Sequence, residues 1–392
     1  MTAPETRRVF EALTVDGAQA RFVGGCVRDS LLRRTVKDID IATDAEPERV
    51  IRLLEAARIR AIPTGIDHGT ITAVIHPAHH LPAHFEITTL RHDVETFGRH
   101  ARVAFTDDWM IDASRRDFTM NALFCSIDGT LYDPFGGMED ALAGRVRFVG
   151  DPRARITEDV LRLLRFFRFQ AHYGQTPPEP AALDACIQMA PLLPRLSGER
   201  VQAEIFRLLR APDTVPVVRL MIDHGILAHL LPEATSIGRL AFVMTEAPEQ
   251  DDPVLRLAAL LETDRAGALQ VAERLRLSNA DAVRLALLTA PPPDISSLNP
   301  RQLLHRFGAD TARDLVLLHN PERLPVLAQA AAQWENPRFP LQGRDLLELG
   351  VPRGPRIGQF LKDIERWWED RDYRPTHEEC LRELRARLPG EP

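Results

Sequence analysis

The sequence predicts an α+β fold in which a small head of mixed strands and helices precedes a long helical body. Three observations predict it. Strand-like alternation and β-branched runs are confined to the first ~145 residues. From about residue 150 onward, segments with helical periodicity follow one another to the C-terminus. The stretch 291–300 (PPPDISSLNP) then breaks the helical region into separate runs.

Taken in order, Arg21 to Gly25 reads as a short strand entering a glycine turn, and Cys26 to Arg34 as a helix. Asp38 to Ala42 (DIDIA) alternates polar and apolar residues, the pattern of a half-buried strand. Ala45 to Arg58 is amphipathic, with Pro47 near its first turn, and reads as a helix. Thr70 to His76 and His84 to Leu90 read as two further strands joined by a His- and Pro-rich turn. Its histidines (His76, His79, His80, His84) are expected in an exposed loop rather than a metal site. Helices are expected at 157–173, 199–210, 216–230, 253–276, 301–317 and 356–370.

Composition narrows the class. No run of about 18 apolar residues spans a membrane, and nothing near Met1 resembles a signal peptide. Cys26, Cys125, Cys186 and Cys380 lie far apart, which suggests reduced thiols and a cytoplasmic protein. The net charge of −7 gives no global sign of nucleic-acid binding. Locally, Arg145 to Phe169 holds seven arginines against three acids, so a phosphate partner would meet a patch.

Three groups of residues suggest chemistry. Asp38 and Asp40, two apart on a strand, would present both carboxylates to one side while Ile39 and Ile41 face a core. Such carboxylates repel unless a cation lies between them. A pair of Mg²⁺ ions about 4 Å apart would relieve that repulsion and assist in-line displacement at phosphorus. A solvated strand face, or an ion pair with Lys37, fits the same residues. Glu86, on a neighbouring strand, is a candidate third metal ligand, with a structural role equally open. Gly24-Gly25 ends one strand and opens a helix, where a backbone can approach a phosphate closely, and Arg28 lies one turn further in.

Arginines form the second and third groups. Arg115-Arg116-Asp117-Phe118-Thr119-Met120-Asn121 supplies guanidinium groups for triphosphate oxygens, and Asn121 suits a ribose hydroxyl. A helix start with surface arginines would look similar. On a helix starting at Thr157 as N-cap, Val160, Leu163, Leu164 and Phe167 share a buried arc, with Arg162, Arg165 and Arg168 opposite. Asp159 borders Arg162, and an Asp–Arg couple offers the acceptor and donors that a base's Watson–Crick edge requires. An ordinary charged helix face is the alternative.

Together these segments resemble the class II tRNA nucleotidyltransferases, the bacterial-type CCA-adding enzymes with their poly(A) polymerase relatives. The segments are GGCVRDSLL (24–32), KDIDIAT (37–43), PTGIDHGTIT (63–72), RRDFTMNAL (115–123), DPFGGMEDAL (133–142), DPRARITEDVLRLLRFFRF (151–169) and SGERVQAE (197–204). The resemblance implies a DNA polymerase β-like head (1–145), a helical neck for nucleobase recognition (146–215), and a helical body and tail that bind tRNA (216–392). It implies Mg²⁺ at Asp38 and Asp40, with triphosphate contacts from Gly25, Arg28 and Arg116, and nucleotide contacts from Gly24, Asp117 and Asn121. Asp159 and Arg162 would pair with the base of CTP or ATP, supported by Arg165 and Arg168. Arg91 to Arg102 looks like the flexible loop linked to the switch from C to A addition.

The implied activity is template-independent addition of CCA to the tRNA 3′ end, with pyrophosphate released. Poly(A) polymerase and partial (CC- or A-adding) enzymes are the alternatives. No membrane and no protein partner are expected.

Overall fold

A computed structural model describes residues 1–76, 82–97 and 100–388. The chain forms two compact units, Met1–Ala282 and Val283–Pro392. The first begins with α1 (Pro4–Thr14), β1 (Ala20–Val23), α2 (Gly25–Leu31), β2 (Ile39–Thr43) and α3 (Pro47–Ala56). Next come β3 (Arg60–Gly65), β4 (Thr70–Ile75), β5 (Ala83–Thr89), β6 (Arg91–Phe97), β7 (His100–Phe105), α4 (Trp109–Ser114), β8 (Phe124–Cys125), β9 (Leu131–Tyr132) and α5 (Gly137–Ala143).

Seven strands make one sheet in the order β3-β4-β5-β2-β1-β8-β9, parallel between β2 and β5 and antiparallel elsewhere. Val9, Leu13, Phe22, Ile41, Leu54, Ile71 and Ile87 join a single core with α1 and α3 on one face of the sheet. Ile39 packs against that core and Ile41 is fully buried within it, as the alternation predicts. A smaller core of Val23, Ala42, Leu90, Trp109, Ala113 and Phe124 forms separately around α4.

Helices alone follow among the described residues: α6 (Pro152–Glu158), α7 (Leu161–Tyr173), α8 (Pro180–Met189), α9 (Gly198–Leu209), α10 (Thr214–Asp223), α11 (Gly238–Glu246), α12 (Pro253–Leu260) and α13 (Arg265–Arg274). The division between units falls inside α14 (Asn279–Thr289). The second unit continues with α15 (Pro300–Phe307), α16 (Ala309–His319), α17 (Leu324–Ala331), α18 (Gly343–Glu348), α19 (Pro355–Glu369) and α20 (His377–Arg387). Its own core includes Leu346, Ile364, Trp368, Cys380 and Leu384. The Pro-rich stretch 291–300 separates α14 from α15, as expected. No helix is long and apolar enough to cross a membrane among the described residues.

Several expectations are corrected. The helix expected over 157–173 is two helices, because Asp159 is extended (φ −149°, ψ 107°) and its carboxylate accepts the Leu161 N–H at 3.1 Å. Thr157 is not its N-cap. It lies inside α6 and its hydroxyl donates to the Arg153 carbonyl, while Asp151 caps α6 through the Ala154 N–H. The helix expected over 253–276 breaks before Asp264, which caps α13, and that over 301–317 breaks at Gly308, where φ is +75°. That over 216–230 stops at Asp223, ahead of Gly225 at φ +67°.

β2 begins at Ile39, one residue later than expected, which leaves Asp38 just before the strand. Strands β3, β8 and β9 are additions to the expected set. Arg91 to Arg102, read as a loop, instead carries β6 and the start of β7, paired from Arg91↔Phe105 and His92↔Ala104 onward. The His- and Pro-rich turn (77–81) and residues 98–99 of that segment lie outside the described residues.

Candidate active site

The glycine turn and the parallel strand pair set the first wall of the site. Gly24 adopts φ +71°, a conformation that costs glycine little, and its N–H donates to Leu123 O at 3.0 Å. β1 is thereby tied to the segment that carries Arg116 and Asn121. On the adjacent strand, Asp40 stands in register with Glu86 of β5. Burial, the Glu86 carboxylate and Asp38 together push the Asp40 carboxyl up to about 6, against the opposing pull of Arg116. Asp38 is exposed and Asp40 half-buried.

Arginines reach the site because buried acids hold them. Asp112 of α4, 1% exposed, receives Arg115 at 2.7 Å and Arg116 at 2.8 Å. Burial alone would raise its carboxyl, but the two guanidinium groups hold it below the ordinary value. Asp117 has the same role a few residues later. Burial opposes its charge, yet Arg165 (Nε to Oδ2, 2.7 Å), the Asn121 amide (2.9 Å) and the Phe118 N–H keep it low. Asn121 in turn accepts from Arg28 Nη1 at 2.5 Å, and Arg28 also donates to Asp29 and to the Tyr173 hydroxyl.

α7 forms the opposite wall. It is anchored by an aromatic cluster in which Phe118 lies 4.9 Å from Phe148 and 4.8 Å from Phe169 between ring centroids, with Phe148 stacked on Phe166 at 5.5 Å. Asp159 and Arg162 both face the cavity, but they are not ion-paired with each other. Asp159 Oδ2 accepts from Arg200 of α9 at 2.7 Å, whereas Arg162 pairs with Glu158 and donates to the carbonyls of Arg155 (3.1 Å) and Arg115 (2.9 Å). The Asp–Arg couple read from the sequence is therefore two separate pairs, because the break at Asp159 turns its carboxylate toward α9.

These walls flank an open cavity of about 500 Å³. It is lined by six arginines (Arg28, Arg115, Arg116, Arg162, Arg165, Arg200) and three aspartates (Asp40, Asp117, Asp159), with Gly24, Gly25, Asn121, Leu161 and Phe169. Three predicted site residues lie outside that lining: Asp38, Glu86 and Arg168. Arg168 is instead held by Glu204 at 2.6 Å.

The basic excess of residues 145–169 shrinks in space. Arg145 and Arg147 pair with Asp140, Arg155 and Arg162 with Glu158, Arg165 with Asp117, and Arg168 with Glu204. The cavity's own arginines are held by acids as well, Arg115 and Arg116 by Asp112, Arg162 by Glu158, Arg165 by Asp117 and Arg200 by Asp159, and its lining still counts six arginines against three aspartates. Sequence reasoning missed Asp112, Glu158, Tyr173 and Arg200. The signal for Arg200 is present in SGERVQAE, which holds both Arg200 and Glu204, but their partners, Asp159 and Arg168, lie 41 and 36 residues away and leave no local pattern.

Among the described residues, no cluster of three or more His, Cys, Asp or Glu side chains is set to hold a metal ion. Asp40 nevertheless stands in register with Glu86 on the adjacent strand, with Asp38 two residues before it, and burial followed by these like charges raises its carboxyl; hard carboxylate oxygens of this kind fit a divalent cation that completes its shell with phosphate oxygens and water.

An α+β head with a glycine turn, the β2 carboxylate Asp40 and arginines around one cavity is the arrangement of a nucleotidyltransferase. Comparison agrees: residues 20–147 match the poly(A) polymerase head domain, and residues 177–237 match a segment described as the probable RNA- and SrmB-binding site of polymerase A. The chain is 33% identical over 400 residues to the mitochondrial CCA tRNA nucleotidyltransferase 1 of Danio rerio, across 96% of this chain and 92% of that one. It is 36% identical over 375 residues to the CCA-adding enzyme of Anoxybacillus flavithermus, across 91% and 90%. The crystal structure of the Bacillus stearothermophilus CCA-adding enzyme in complex with CTP is similar with a TM-score of 0.79 at 27% identity, covering 98% of both chains. The chain belongs to the CCA tRNA nucleotidyltransferase family.

Proposed function

We propose that this protein adds CCA to the 3′ end of tRNA, using CTP and ATP and releasing pyrophosphate. One observation carries the reading: a single cavity places Arg28, Arg116 and Asp40 together with the Asp159 carboxylate and Arg162 guanidinium. The first group suits a triphosphate and the second the Watson–Crick edge of cytosine or adenine. Both bases present an exocyclic amine beside a ring nitrogen, which a carboxylate and a guanidinium satisfy.

The chain's own groups divide the work. Gly24, Gly25, Arg28 and Arg116 bind the triphosphate, with Asp117 holding Arg165 and Asn121 in place. Asp159 and Arg162 select the base, and the base takes Arg200's place on Asp159. Asp38 and Asp40 hold Mg²⁺, with Glu86 beside them. When bound, that ion supplies Lewis-acid activation of the primer hydroxyl and neutralises developing charge on the phosphates. In this reading residues 1–145 catalyse, 146–215 recognise the base, and 216–392 bind tRNA. The protein acts in the cytoplasm.

The test is incubation of purified protein and Mg²⁺ with a tRNA lacking its terminal CCA, plus labelled CTP and ATP. Three added residues, CCA, are expected. A long A tail would make the protein a poly(A) polymerase, one or two residues would make it a partial enzyme, and no incorporation would overturn the reading.

A further inference from the structure

We propose that Tyr173 is a positioning residue that couples the base-reading helix α7 to the triphosphate-binding Arg28. Tyr173 is the last residue of α7, twelve positions after Leu161. Its hydroxyl accepts from Arg28 Nη2 at 2.7 Å and donates to Asp29 Oδ1 at 3.2 Å. Its ring lies 4.1 Å beneath the Arg28 guanidinium. One side chain therefore holds Arg28 by both a hydrogen bond and a cation–π contact.

The remaining contacts of Arg28 leave it a single orientation. Nη1 is committed to Asn121 and Nε to Asp29, and the residue is only 6% exposed although it lines the cavity. Asn121 leads through Asp117 to Arg165, so the path Tyr173–Arg28–Asn121–Asp117–Arg165 leaves α7 at its C-terminal end and rejoins it two turns earlier. α2, the segment 117–121 and α7 are locked by one closed ring of hydrogen bonds. Arg28 reaches a phosphate without first being ordered, so the entropy of fixing a free arginine side chain is not lost on binding.

The groups that face Tyr173 are otherwise Arg34, 4.5 Å over its ring, and the rings of Phe169 and His172. Phe169 also lines the cavity, so the Tyr173 ring backs a lining residue as well as the arginine.

This inference rests on the cavity being the nucleotide site, and the test separates the two. Dissociation constants of CTP, ATP and inorganic tripolyphosphate are measured by calorimetry on the full-length protein and on Tyr173→Phe and Tyr173→Leu. The hydroxyl contact to a charged group predicts a loss of about fivefold to tenfold in Tyr173→Phe, equal for all three ligands. Tyr173→Leu, which also loses the cation–π contact, loses several-fold more, so that phenylalanine is a partial rescue. In tRNA extension, KM for CTP and ATP rises in parallel while kcat changes less than twofold and the C/A choice is kept. Unchanged affinity in Tyr173→Phe, or an effect on one base alone, overturns the role of Tyr173 while leaving the nucleotide site intact. Failure of the unaltered protein to bind any of the three ligands overturns both. Should Tyr173→Leu not fold, Tyr173→Phe by itself decides.

Discussion

Asp40 is held at an energetic disadvantage that its proposed task explains. In the folded chain without metal its carboxyl is raised from 3.8 to about 6 by burial, Glu86 and Asp38. Because the folded pKa lies above the unfolded one, the ionised group destabilises the fold: the penalty is absent below about pH 4, grows between pH 4 and 6, and is complete above. Asp40→Asn should therefore raise the melting temperature of metal-free protein at pH 7.5, by an amount equivalent to about 1–2 kcal/mol after allowance for solvent screening. The gain should vanish at about pH 4, and nucleotide incorporation should be abolished. Thermal melts at the two pH values check the stability change; equal melting temperatures at the higher pH would remove the crowding argument. Asp112 and Asp117 show the opposite outcome. They are as buried or more so, yet each is met by guanidinium groups, and their carboxyls fall below the ordinary value.

Among elements, the one that sets the site with the least tolerance is α5. Gly137, its first residue, lies against the turn that carries Thr119 to Asn121. A Cβ at Gly137 would stand 2.0 Å from the Thr119 carbonyl oxygen and 2.6 Å from its carbon, both backbone atoms that cannot rotate aside. Asp140 of the same helix accepts the Thr119 hydroxyl at 2.6 Å and is 1% exposed, so the helix and the turn are held together from two sides. Gly137→Ala must push α5 from the segment that orients Asn121 and Asp117. A destabilisation of at least ~2 kcal/mol is expected by chemical denaturation, with weakened CTP binding in whatever folds. Gly24→Ala, by contrast, meets nothing closer than 3.5 Å, so its cost is confined to the positive φ. If the two variants lose equal stability, the close approach of α5 is not what constrains Gly137.

Over the whole molecule, each of the two units has a core of its own, one around Leu13, Ile41 and Ile87 and the other around Leu346, Ile364 and Trp368. Heat unfolding should accordingly depart from a single two-state transition, and CTP should shift only the transition of residues 1–282. Calorimetry with and without CTP checks this; one transition that CTP moves as a whole would mean the units unfold together.

Much of this was legible in the chain. Local patterns determined β1, β2, β4 and β5, the order of a mixed head before a helical body, and the glycine turn, since period-2 and period-3.6 burial and glycine's freedom at positive φ act within a few residues; strands β3 and β6 to β9 and the breaks inside the expected helices were not legible there. Short motifs in order then sufficed for the family. Only the tertiary structure decided which acid holds which arginine. Asp159 neighbours Arg162 in the sequence but is bonded to Arg200, 41 residues away, and Arg28 finds Tyr173 at a distance of 145 residues. The reason is physical: an ion pair depends on through-space distance and burial, and a single extended residue such as Asp159, between two helices, is enough to redirect a carboxylate that uninterrupted helical periodicity would have aimed elsewhere.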